Sequence, residues 1–211
     1  MGLGYIVVTS VTRDDLPDGG SGHFAQTIHS IQKTVSNAGV EVLVPDFNGN
    51  SESIRKVLDA RPVVLNHNIE TAAPLYHRVR PQASYERSLT LLEQAAACGG
   101  GVVAKSGLML GIGETDNEIQ NTLKDLRSVN CSLLTIGQYL QPSRRHLPVH
   151  RFVAPEVFEM WRTEALSLGF KGVASGPFVR SSYQAGEMQR ASGSESPPAE
   201  REASGSPIEG G

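Results

Sequence analysis

The sequence predicts an α/β protein built on a parallel sheet, curled into a partial barrel or laid open. Three observations carry that expectation. Six short apolar runs rich in β-branched residues recur along the chain, and segments of helical periodicity alternate with them. Helix-closing glycines and helix-opening caps or prolines punctuate the alternation. Such units stack into a parallel sheet, and function then belongs at the C-terminal ends of the strands, where the loops converge.

Taken in order, Tyr5 to Val11 reads as a strand buried on both faces. A loop rich in Asp and Gly, Arg13 to Gly20, follows it. Phe24, Ile28, Ile31 and Val35 then recur at helical spacing, and Gly39 ends that helix. Val40 to Val44 is the next strand, closed by Pro45-Asp46. Ser51 to Ala60 is a short helix with Ile54, Val57 and Leu58 inward. Val63 to Ile69 is a third strand, and Ser84 to Cys98 a longer helix with Leu89, Leu92 and Ala96 on one stripe. Val102 to Leu110 is a strand running into Gly111-Ile112-Gly113-Glu114. Thr115-Asp116-Asn117-Glu118 has the form of a capping box, with Ile119, Leu123 and Leu126 behind it. Leu133 to Leu140 is a strand, and Pro155 opens a helix carrying Phe158, Trp161, Ala165 and Leu168 up to Gly169. The last strand, Lys171 to Ser175, delivers Gly176 to Tyr183. From about Arg190 the chain is Ser, Gly, Pro, Glu and Arg with no aromatic residue, too polar to bury a core. The expected organisation is one folded unit over 1–188 and a disordered tail over 189–211.

Composition narrows the function classes. The 211 residues carry a formal net charge of −3 and a pI near 6.1, which gives no global attraction to nucleic acid or a bilayer. No apolar run approaches the roughly 20 residues of a membrane span. No signal or transit segment is visible, so a cytoplasmic protein is expected. The two cysteines, Cys98 and Cys131, lie far apart at the ends of apolar stretches. They are expected to be buried thiols, with neither disulfide-framework nor metal-finger spacing.

Several residues stand out chemically. Alternation along the third strand puts Asn66, Asn68 and Glu70 on one face and Leu65, His67 and Ile69 on the other. The amide and carboxylate at that strand's end suit a ligand's amines and hydroxyls, or else a polar barrel layer satisfied internally. Lys105 lies inside an apolar strand, where an unpaired ammonium is costly. A site role is favoured for it, with a structural salt bridge as the rival. Gly111-Ile112-Gly113 before a capped helix could cradle an anion or simply make a turn. Gln141-Pro142-Ser143-Arg144-Arg145-His146 concentrates positive charge where a substrate would enter, although a solvated basic loop has the same composition. Asp14, Asp15 and Asp18 fit a cation site or a turn equally well. His67 and Glu70 do not form the helical zinc motif, since on a strand they point apart. The Ser181-Ser182 pair, between Arg180 and Tyr183 and after a Gly-Pro break, can ligate a metal, hold an anion or close a loop.

Five ordered runs together resemble the lipoyl synthase family of radical S-adenosylmethionine enzymes. They are Thr9 to Gly20, His67-Asn68-Ile69-Glu70-Thr71, Met109 to Thr115, Gly137 to Ser143, and Ala174 to Tyr183. The resemblance covers about residues 2–188. It departs at Thr12, where the family commonly has Asp. It implies a partial (β/α) TIM-like barrel of the radical SAM type. It also implies insertion of two sulfur atoms into an octanoyl chain on a carrier-protein lysine, which forms the lipoyl group. The implied cofactors are S-adenosylmethionine and two [4Fe–4S] clusters, one of which cleaves S-adenosylmethionine while the auxiliary one supplies sulfur. The implied partners are octanoylated lipoyl-carrier domains (2-oxoacid dehydrogenase transacylase subunits and glycine cleavage H protein) and an electron donor, with no nucleic acid and no membrane.

By the same resemblance a serine of Arg180-Ser181-Ser182-Tyr183 is the fourth ligand of the auxiliary cluster, assigned to Ser182 with Ser181 as fallback. An alkoxide is a harder donor than a thiolate, which suits a cluster that must be opened. Asn68, Glu70, Lys105 and Gln138 would line the cofactor and substrate cavity, with Arg80 and Arg145 as further candidates. The family's two cysteine triads have no counterpart here, and its first βα unit is missing. The chain alone is therefore expected to hold no cluster stably and to be inactive without the missing part. The alternatives are a catalytically silent remnant that binds carrier protein or cofactor, and a phosphate-binding barrel enzyme using Gly111, Gly113 and the Arg144-Arg145 pair.

Overall fold

A computed structural model describes residues 3–35 and 37–193. Strands and helices alternate along it: β1 (Tyr5–Thr9), α1 (Ser21–Thr34), β2 (Gly39–Leu43), α2 (Ser51–Asp59), β3 (Val64–Asn66), α3 (Tyr76–Val79), α4 (Tyr85–Ala97) and β4 (Val103–Leu110) come first. They are followed by α5 (Asp116–Ser128), β5 (Leu133–Gln138), α6 (Pro155–Ser167), β6 (Gly172–Gly176) and α7 (Ala185–Ala191). The six strands form one sheet in chain order, and every neighbouring pair is parallel. A sheet wound in one direction carries its crossover helices on one face, leaving the other to face itself. Lys105 of β4 reaches across β3 to bond Glu41 of β2 at 2.8 Å. Side chains from alternate strands meet in this way only on the concave face of a curled sheet. The α/β partial barrel is confirmed.

Burial follows position in the sheet. Strands β2 to β5 are buried almost throughout, as expected where helices cover one face and a filled interior the other. β1 departs from the expectation of burial on both faces: its residues are half-buried. It pairs on one side alone, with β2, and regular pairing stops at Thr9, leaving Val11 77% exposed. β3 is shorter than expected because its continuation leaves the ladder. Glu70 adopts a left-handed backbone at φ 67° and returns as a single bridge to Leu108.

The helices bury the stripes that their periodicity marks, with one shift. α1 sets Phe24 and Ile28 inward, α2 Ile54, Val57 and Leu58, α5 Ile119, Leu123 and Leu126, and α6 Phe158, Trp161 and Ala165. In α4 the deepest face is Tyr85, Ser88, Leu91, Leu92 and Ala95, while Leu89 and Ala96 pack half-buried beside it. The capping box of α5 is complete: Glu118 N–H donates to Thr115 Oγ1 and Thr115 N–H to Glu118 Oε2. Cys131 is buried, and burial pushes its thiol up to about 12. Cys98 is exposed, contrary to expectation. It ends α4 just before Gly99, Gly100 and Gly101, all at positive φ, which carry the chain away without covering the sulfur.

The sequence gives no warning of α7, which crosses the expected 188/189 boundary. Met188 enters an inner apolar cluster with Val64, Val103, Leu133 and Ala174. Gly186 sits so close to Tyr5 that a Cβ there would lie 3.1 Å from the ring. α7 therefore packs between the first and last strands. The remainder of the expected tail, 194–211, lies outside the described residues. No helix among those described is long and apolar enough to cross a membrane.

Candidate functional site

The segment after β6 turns inward over the C-terminal ends of the strands. Gly137 in β5 permits this, since a Cβ there would stand 2.5 Å from the Val179 carbonyl oxygen. Val179 is buried, and the next residue but one reaches the end of β3: Ser181 Oγ accepts from Asn68 Nδ2 at 2.8 Å. Asn68 Nδ2 also donates to Glu70 Oε1 at 3.2 Å. The Asn68 amide lies against Gly107, where a Cβ would be 2.6 Å from Asn68 Oδ1. That Oδ1 is buried without a hydrogen-bond partner. Burial raises the Glu70 carboxyl above the usual range, opposed by its bond from Asn68 and by the Arg80 charge. An orphaned acceptor, a perturbed carboxyl and a left-handed non-glycine backbone coincide at one strand end, the combination that marks a ligand site.

Two cavities flank Asn68 and Glu70. One, of about 270 Å³, is lined by Thr135, Gln138, Leu140 and Ser181 as well. The other, of about 460 Å³, extends to Thr9, Asp14, Asp46 and Arg80. Arg80 fixes their shared edge: its Nη1 donates to the Asn68 carbonyl at 3.1 Å and to the Tyr76 hydroxyl at 2.8 Å. The remaining expected residues are placed differently. Lys105 lies beneath the cavities and lines neither. Its ammonium meets Glu41, whose carboxylate also accepts from the Tyr5 hydroxyl at 2.8 Å and more weakly from Asn66 Nδ2. The salt bridge that the sequence leaves open is thus present. Gln138 lines the smaller cavity, but its amide holds the 139–153 loop: Oε1 accepts from Val153 N–H, while Nε2 donates to the Tyr139 and Arg151 carbonyls. Arg145 is exposed on that loop, and Ser182 is exposed beside Ser181.

Two features escape the sequence. Glu114 turns its carboxylate back into the glycine turn, accepting from the backbone N–H groups of Gly111, Ile112 and Gly113 at 2.6, 2.9 and 3.0 Å. The anion cradle exists, and the chain's own carboxylate fills it, which removes the basis for a phosphate-binding enzyme. A glutamate directly after Gly-Ile-Gly is the signal that could have shown it. Asp18 likewise serves a turn, accepting from Gly20 and Gly22 N–H, and Asp15 pairs with Arg13.

The second feature is a relay outside the barrel. His67 Nδ1 lies 2.9 Å from the Val44 carbonyl, Nε2 lies 3.0 Å from Ser88 Oγ, and Ser88 Oγ lies 2.8 Å from the Tyr76 hydroxyl. A carbonyl only accepts, so Nδ1 carries a proton. Burial pushes this imidazole down to about 4 from 6.5. Between those values the unfolded chain takes up a proton that the folded one refuses, so stability falls as the pH drops. The loss should reach about 3 kcal/mol by pH 4. Unfolding measured at pH 7 and pH 4.5 should show a smaller acid loss in His67→Gln than in the parent. Equal losses would refute it.

Comparison with known proteins settles the ancestry. The pattern of the Radical SAM superfamily covers residues 1–126. The chain is 54% identical over 189 residues to a lipoyl synthase of Chlorobium phaeovibrioides, covering 90% of this chain and 66% of that protein. It is 54% identical over 190 residues to a lipoyl synthase of Caldicellulosiruptor saccharolyticus, covering 90% and 67%. The chain belongs to the lipoyl synthase family. It spans about two thirds of the length of these curated relatives. The crystal structure of methylornithine synthase superposes with a TM-score of 0.58 at 12% identity, over 85% of this chain and 59% of that one, a likeness of fold alone.

Asn68 and Glu70, whose side chains line both cavities, suit the ammonium and hydroxyl donors of S-adenosylmethionine. An iron–sulfur cluster does not fit. Among the described residues no group of three His, Cys, Asp or Glu could hold a metal. Cys131 is buried beside the Ala104 and Leu133 carbonyls, and Cys98 faces outward on α4.

Proposed function

We propose that this chain supplies the cofactor- and acyl-binding part of a lipoyl synthase, inserting two sulfur atoms into an octanoyl chain on a carrier-protein lysine. The observation that carries the reading is the mouth built by Asn68, Glu70 and Ser181, which the resembling motifs His67–Thr71 and Ala174–Tyr183 bring together. Asn68 and Glu70 hold the polar end of S-adenosylmethionine, and Arg80 keeps that strand end in place. When bound, the cofactor supplies the means of removing hydrogen from unactivated carbon. The exposed Leu140 and the Gly107 and Gly137 backbone give the smaller cavity an apolar wall for an alkyl chain. Ser182 remains the proposed ligand to the auxiliary iron, because Ser181 Oγ is engaged with Asn68 while Ser182 is exposed.

The test is a fusion of this chain to the part of the Chlorobium phaeovibrioides relative that it does not cover, reconstituted with iron and sulfide. It should convert an octanoyl-lysine peptide to the lipoyl form. Ser182→Ala should abolish sulfur insertion and alter the spectrum of one cluster, while S-adenosylmethionine is still cleaved. An unchanged lipoyl yield would remove Ser182 from the site. A second reading is a protein that binds carrier or cofactor without chemistry, since no metal-holding group of three His, Cys, Asp or Glu is found among the described residues. Clusters assembled in the fusion with no product would support that reading.

A further inference from the structure

The 139–153 loop has no regular secondary structure, yet it is pinned along its length. Gln138 holds both ends, through Tyr139 on one side and Arg151 and Val153 on the other. His150 N–H donates to the Gly111 carbonyl at 2.8 Å, and the Tyr139 hydroxyl to the Leu147 carbonyl at 2.8 Å. Gln141 Nε2 donates to the His146 carbonyl, and Ser143 Oγ bonds the His146 ring. What this scaffold displays is unpaired positive charge. Arg144 and Arg145 are exposed and make no ion pair among the described residues, nor does the exposed Arg180 on the neighbouring loop. Arg151 alone has acidic neighbours, Glu114 and Asp116. Large apolar side chains are exposed on the same two loops: Leu140 is 51% exposed, Phe152 77% and Phe178 89%. Leu140, the first of them, also lines the smaller cavity.

A loop held rigid to present mutually repelling cations and bare apolar side chains gains nothing for the fold. It is organised for a partner. We propose that the rim formed by the 139–153 loop and Phe178 is the docking surface for the protein that carries the acylated lysine, and that this partner presents an acidic surface around that lysine. The inference rests on the proposed function, because a protein-bound acyl chain reaches the cavity only if its carrier sits at the rim. Arg144 and Arg145 meet the carrier's carboxylates, while Phe152 and Phe178 cover its apolar patch. Rim charges of this kind govern encounter and salt dependence rather than chemistry.

The test measures binding of this chain to an octanoylated lipoyl-carrier domain and to a short octanoyl-lysine peptide without acidic residues. The domain should bind more tightly than the peptide, and its affinity should fall about tenfold in Arg144→Glu and further when Arg145→Glu is added. Raising the salt from about 50 to about 300 mM should reproduce much of that loss. Peptide affinity should be unchanged in Arg144→Glu, and its Tm no lower, because no intramolecular partner is lost. Peptide binding with no advantage for the domain, or equal weakening of both by Arg144→Glu, would overturn the docking surface alone. Binding of neither by the parent chain would overturn the function on which it rests as well.

Discussion

Replacing Lys105 with methionine should destabilise the protein by about 3–5 kcal/mol, the usual cost of breaking a buried ion pair from one side. Both side chains of the Lys105–Glu41 pair are 0% exposed, at 2.8 Å. Methionine fills the lysine's volume but leaves the Glu41 carboxylate in the barrel interior with only the Tyr5 hydroxyl and the distant Asn66 amide for company. Removing both charges is a different matter. The Lys105→Met, Glu41→Gln double variant should recover more than half of the loss, since no uncompensated charge remains. The urea midpoints of the parent, the two single variants and the double variant decide it. A loss below about 1 kcal/mol for Lys105→Met would mean that the interior admits water and that the pair is not the anchor described here.

Glu114→Ala should be nearly as severe, at about 3 kcal/mol or more. The carboxylate is the acceptor for three consecutive N–H groups, and alanine leaves all three donors in a turn the chain has already closed. Gln138 and the 139–153 loop are packed over that turn, with His150 N–H donating to the Gly111 carbonyl. Amide exchange at His150 should therefore accelerate in the variant, while amides of β2 stay protected. Glu114→Gln keeps one acceptor oxygen and should fall between the parent and alanine. A Glu114→Ala protein with parental stability and unchanged His150 exchange would show that the cradle is incidental.

These two residues also show where sequence reading stops. The opposed faces of Leu65 and Asn66 were legible because strand geometry alone fixes them, whereas Asn68 and Glu70 lie past the end of β3, where Glu70 takes a left-handed backbone. The capping box of α5 was legible because its donors and acceptors lie within four residues. The partner of Lys105 lies 64 residues away, and no local pattern names it. Half-burial of β1 reflects its place at the sheet edge, which composition does not encode. Cys98 reads as apolar-flanked, but three glycines steer the chain away from it. Helix α7 escapes notice because Ala185 to Ala191 is polar on average. Its docking rests on one methionine falling among Val64, Val103 and Leu133. The pairing of Ser181 with Asn68 was equally out of reach, since neighbouring serines look alike until a fold turns one inward.

The seat of α7 has a consequence for synthesis. Tyr5 leaves the ribosome long before Gly186, which packs against its ring. Pairing with β2 can begin early, but the inner side of β1 stays bare until α7 has been made. Until then this strand is the part of the nascent protein that a chaperone would find first.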